Sequence, residues 1–140
     1  MRDAERLFLL AFLAHFALVC GLYVLLTVLR MKAVQSGEAK VGDFVRASGD
    51  PPVSARVQRN LANQFEAPVF AYFAAAVLLW AGAVGVYDVA AAWVFLGGRV
   101  IHTAVQVLTV NVALRGQVYT INFLAIVALM GHVAQLVLKG

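Results

Sequence analysis

Four long apolar runs divide the chain, from about Leu7 to Leu29, Leu61 to Val84, Val89 to Leu114 and Val118 to Leu138. Each has the roughly 20 mostly apolar residues with which a helix crosses a bilayer. The ten-residue alternation of membrane strands is absent. Little more than Gly85 to Asp88 joins the second and third runs, and the third meets the fourth around Arg115 and Gly116. Short links force antiparallel neighbours. The pattern predicts one all-α domain, a four-helix transmembrane bundle of up-down topology. The one hydrophilic stretch, Arg30 to Arg59, is a long first loop carrying Gly37, Gly42, Gly49 and Pro51–Pro52 as turn and breaker signals.

Composition moves the solvent from water to lipid. Of 140 residues, 63% are hydrophobic and 13% charged, against near half and a quarter in soluble domains. The opening MRDAER resembles the charged end of a signal peptide. The apolar run behind it is too long for that, and no clear small-x-small cleavage site follows, so it reads as a retained helix. Cys20 is the single cysteine; it predicts no internal disulfide and no metal site, and is expected to be a small packing residue.

The net charge of +4 does not point to nucleic acid, because the basic residues flank apolar runs. Six of the eleven (Arg30, Lys32, Lys40, Arg46, Arg56 and Arg59) lie in the long loop. The positive-inside rule then puts that loop in the cytoplasm, with both termini and the Tyr87–Asp88 turn outside. Arg115 returns to the cytoplasmic side, so Arg30, Arg56, Arg59 and Arg115 are expected at one membrane face.

Polar residues inside spans are costly and mark partners or tasks. Arg59, Asn63 and Glu66 are spaced four and three apart, one face of a helix, with Pro68 placed to kink the chain beside Glu66. Arg99, His102 and Gln106 form a second stripe, and Arg115, Tyr119 and Asn122 a third. Glu66 is the only acid within a span. A Glu66–Arg99 pair, within or between subunits, is the expected account of both; it serves equally to lock two helices together or to hold a ligand. His102 is read as a helix–helix hydrogen bond or a ligand contact. His15 and His132, isolated on apolar helices, are expected to bond neighbouring helices. Trp80, Trp93 and Tyr87 suit an interfacial belt.

An arginine-rich, partly dry site suits carboxylates, which guanidinium grips with paired hydrogen bonds. A thiol is only a few per cent ionised at neutral pH, and a nearby cation makes the nucleophilic thiolate dominant. Glutathione, with two carboxylates, an amine for Glu66 and a thiol, fits such a site, and a lipophilic second substrate would enter from the bilayer.

At these positions the chain resembles the MAPEG family, the membrane-associated proteins of eicosanoid and glutathione metabolism. The likeness rests on Arg59-x3-Asn63-x2-Glu66, Arg99-x2-His102-Thr103 and Arg115-x3-Tyr119-Thr120, and is to bacterial-type members, implying a bacterial inner membrane. The resemblance implies a homotrimer that binds glutathione as cosubstrate between subunits near the cytoplasmic face. The implied activity is that of a glutathione-dependent transferase or peroxidase acting on lipophilic electrophiles or hydroperoxides. By position, Arg115 matches the thiolate-stabilising arginine, and Arg59, Asn63, Glu66, Arg99, His102, Gln106 and Tyr119 match the glutathione site; Arg30 corresponds loosely to a first-helix arginine.

The chain departs from the family pattern at Leu61, where histidine is frequent, at Gln106, where tyrosine is, and at Gly116, where some members carry serine. The alternative is a non-enzymatic lipid-binding or scaffolding protein of the same fold. A small transporter is a third reading, weakened by the lack of discontinuous-helix signals.

Overall fold

The computed structural model describes residues 1–46 and 49–139. The elements are α1 (Asp3–Gln35), α2 (Pro52–Asn63), α3 (Pro68–Trp80), α4 (Val86–Leu108) and α5 (Val112–Lys139), with a 3-10 turn at Val41–Val45. Taken with α2 and α3 as one interrupted span, four segments are long and apolar enough to cross a membrane. At 1.5 Å per residue, the 33-residue α1 is about 50 Å long. It outruns a hydrocarbon core of about 30 Å and carries Arg30 toward the polar connection.

Each helix buries one stripe. On α1 it is Phe8, Ala11, Phe12, His15, Val19, Leu22 and Leu26, at helical spacing, while Leu10, Leu13, Phe16 and Val24 are exposed. In lipid those exposed residues need no cover. The core lies where Phe8 and Phe12 of α1 meet Ala71, Ala74, Ala75 and Leu78 of α3, Phe95 of α4 and Leu129 of α5. Small residues let backbones approach closely without a hydrophobic drive. Gly98 shows it: a Cβ there would lie 3.0 Å from the Asn122 Cβ and 3.3 Å from its Cα. The central helix α4 packs on α1, α2 and α5.

Helix limits follow local caps more than hydropathy. Pro52 occupies the first helical position of α2, where its missing N–H costs nothing, so eight residues of the expected loop, Pro52 to Arg59, are helical. α3 ends in a Schellman turn: Gly82 has φ 61°, its N–H donates to the Leu79 carbonyl, and the Ala83 N–H donates to that of Leu78. The link between α4 and α5 falls at 109–111, not at Arg115–Gly116. The Asn111 side-chain oxygen accepts the Leu114 N–H at 3.0 Å, an N-cap that starts α5 ahead of the glycine.

The bundle has two distinct ends. At one, Arg2 donates to the Gly82 carbonyl at 2.6 Å, tying the N-terminus to the α3–α4 turn. Asp88 accepts the Gly85 N–H and meets His132 Nδ1, both at 2.8 Å. Exposed Trp80 and Tyr87 flank this turn. At the other end, Arg56 and Arg59 of α2 face Thr109, Asn111 and Arg115 across a cavity of about 240 Å³.

Candidate functional site

The second span is broken, and the break builds the site. Pro68 has no N–H to offer the Gln64 carbonyl, and the chain between α2 and α3 turns at 64–67. In an unbroken helix the Asn63 carbonyl would accept the Ala67 N–H. Instead it accepts Arg99 Nη2 at 2.9 Å, while Arg99 Nε donates to Gln64 Oε1 at 2.9 Å. Arg99 is fully buried. Its Nη1, His102 Nδ1 and Asn122 Oδ1 are buried with no partner among the described residues.

This corrects the within-chain form of the expected Glu66–Arg99 pair. Within the chain Arg99 Nε and Nη2 are held by neutral oxygens, and Glu66, within the break, is exposed. Two neutral acceptors converge on Nε and Nη2 of one guanidinium, and the freed carbonyl is an acceptor that no helix interior offers.

On the basic side of the break lies a cleft of about 440 Å³. Arg59, Ala62, Asn63 and Glu66 form one wall, His102 and Gln106 another, and Val112, Arg115, Gly116 and Tyr119 the third. The three polar stripes therefore meet. The His102 and Tyr119 rings are 5.9 Å apart. Arg99 stands behind the wall and does not line it.

Arg30 does not join this cluster. Its Nε and Nη2 grip the Asp50 carboxylate at 2.8 and 2.5 Å, and its guanidinium lies 5.0 Å above the Phe44 ring. Asp50 was not singled out by its spacing; a lone acid just ahead of Pro51–Pro52 gives no such signal. The Arg30 guanidinium holds the Asp50 carboxyl below its ordinary range. Cys20 is exposed on α1 and is not a packing residue within the bundle.

Behind the cleft runs a buried polar network that the stripe spacing missed. Asn60 and Gln64, one helical turn apart, lie beside the Arg59–Asn63 stripe and face α4. Gln64 Oε1 meets His15 Nε2 at 2.9 Å, and His15 Nδ1 meets the Tyr72 hydroxyl at 2.8 Å. Gln64 Nε2 donates to Asn60 Oδ1 at 3.0 Å, which also accepts the Thr103 hydroxyl at 3.0 Å. Asn60 and Asn63 both donate to Gln106 Oε1, at 3.1 and 3.2 Å. The one available signal was Asn60-x3-Gln64 opposite Arg99-x3-Thr103, two polar pairs at helical spacing in adjacent spans. His15 and His132 bond across helices as expected.

Four membrane-length helices around a polar cleft define a multi-pass integral membrane protein. Within that class, the chain belongs to the MAPEG family, whose pattern matches residues 8–135, nearly its whole length. It is thus a membrane protein of the family associated with glutathione and eicosanoid metabolism. Neither a curated protein nor a solved structure matched the chain.

Proposed function

We propose that this protein is a glutathione-dependent transferase or peroxidase acting on lipophilic electrophiles or hydroperoxides, with its basic end in the cytoplasm. The supporting observation is the cleft in which Arg59, Asn63, Glu66, His102, Gln106, Arg115 and Tyr119 converge. Arg59 in the cleft matches a carboxylate of the tripeptide, and Glu66 its amine. Arg115 stabilises the sulfur as thiolate. In transfer, the thiolate attacks the electrophilic carbon, a C–S bond forms and the leaving group departs with its electron pair. The thiol proton passes to water. Gly116 offers no hydroxyl to the sulfur, so the charge of Arg115 carries the activation.

A cation beside a thiol lowers its pKa by about 1–3 units. Arg115→Ala is therefore expected to cut conjugation of a chloronitroaromatic roughly 10–100-fold at neutral pH. Thiolate absorbance near about 240 nm should disappear with it, while helicity is retained. Full activity in that variant overturns the mechanism.

One observation favours the non-enzymatic reading: two of the Arg99 nitrogens are held by the protein's own oxygens, Gln64 Oε1 and the Asn63 carbonyl. Glutathione titration separates the two, since a scaffold binds none at millimolar concentration.

A further inference from the structure

The buried network has a direction, and Arg99 sets it. Guanidinium only donates. Its Nη2 is anchored on a backbone carbonyl, that of Asn63, which cannot be flipped. The Gln64 atom facing Arg99 Nε must therefore be the oxygen. His15 then donates from Nε2 to the same oxygen, and its Nδ1 faces the Tyr72 hydroxyl. The other arm of Gln64 is its NH2, so Asn60 must turn its oxygen toward it, where the Thr103 hydroxyl also donates. That leaves the Asn60 NH2 facing Gln106, which must present its oxygen. The Asn63 NH2 reaches that same oxygen.

The Gln106 NH2 is what remains. It donates to nothing among the described residues and is not among the fully buried unpartnered atoms, while Gln106 lines the cleft. We propose that Gln64 and Asn60, neither of which lines the cleft, are positioning residues. They orient Gln106 so that its amide donates to a carbonyl or carboxylate oxygen of the ligand. By the same logic Asn63, whose NH2 is spent on Gln106, turns its own oxygen away from that bond as an acceptor. The cleft is thereby polarised, with donors on Gln106 and Arg115 and acceptors on Asn63 and Glu66. This rests on the glutathione reading and adds to it which polarity each wall reads and what enforces it.

The test uses full-length protein in detergent, glutathione as probe and titration calorimetry as readout. Gln106→Glu keeps the oxygen that accepts from Asn60 and Asn63 but replaces the free donor with an acceptor. It is expected to weaken glutathione at least roughly tenfold, since a charge-assisted hydrogen bond is lost and an acceptor now faces the ligand's oxygen. The loss should shrink relative to wild type as pH falls and the new carboxyl gains a proton, because it then donates again. Were Gln106 offering its oxygen to a ligand amine, the same variant would bind more tightly. Asn60→Asp never touches the ligand but removes the NH2 that holds the Gln106 oxygen, and should weaken binding in the same direction. If it does not fold, Gln64→Glu makes the equivalent test, keeping Arg99 and His15 while losing the donor to Asn60. Equal or tighter binding by Gln106→Glu overturns the donor assignment, and unchanged binding by Asn60→Asp or Gln64→Glu overturns the positioning role. Wild-type protein that binds no glutathione overturns the parent reading instead.

Discussion

Arg99 shows how a charge survives inside an apolar bundle. It recruits oxygens that the backbone break and a neighbouring amide supply, and bonds no carboxylate among the described residues. Arg30 takes the other solution, a bidentate grip on Asp50, whose side chain is fully covered. The depressed Asp50 pKa carries a pH signature. The folded protein binds its proton less readily than the unfolded chain, so the pair stabilises at pH above the ordinary aspartate value of about 3.9. That contribution is lost as pH falls through the lower, folded-state pKa. Asp50→Asn is expected to cost about 1 kcal/mol at neutral pH, the upper range for a partly exposed pair. Thermal melts should show the gap between variant and wild type closing below about pH 4. A gap that persists there would mean the cost is not electrostatic.

At the scale of elements, the interruption between α2 and α3 and the close approach of α4 to α5 set the site. The first frees the Asn63 carbonyl for Arg99 and leaves Glu66 exposed in the cleft wall. The second holds the Arg99 stripe and the Arg115 stripe at one distance. Gly98 sits at that contact, 3.0 Å from Asn122 by its would-be Cβ, whereas neighbouring Gly97 meets nothing within 4 Å. Gly98→Ala is expected to force the helices apart and cost about 1–3 kcal/mol. Gly97→Ala should be neutral or stabilise by up to about 1 kcal/mol through helix propensity. Parallel thermal unfolding in detergent checks the contrast, and equal effects would refute it. The hydropathy pattern predicts four membrane-length helices, and the structure has four such segments; their ends differ because ends depend on single capping groups. Asn111 caps α5 ahead of Gly116, and Pro52 starts α2 inside what reads as loop.

For the whole molecule, the single chain leaves Glu66 exposed in the wall of an open cleft, although it lies within a membrane-length span. An exposed carboxylate at that depth needs cover from water, ligand or another subunit. The MAPEG resemblance implies the last, a trimer with the cleft closed by a neighbour. Native mass spectrometry from detergent is expected to show three copies, and a stable monomer with full glutathione binding would refute that arrangement.

The sequence by itself determined the helical class, the four spans, the gathering of basic residues at one end and the family. Each of these rests on properties summed over many residues, such as hydropathy, charge placement and motif spacing, and survives an error at any one. It also brought Arg59, Asn63, Glu66, His102, Gln106, Arg115 and Tyr119 together, because helical spacing and span order already place them at one depth. Only the tertiary structure decided the partner of Arg99, the separation of Arg30 from the cleft and the roles of Asn60 and Gln64. Those depend on which single atom meets which across two helices, and a hydrogen bond is won or lost over less than one ångström.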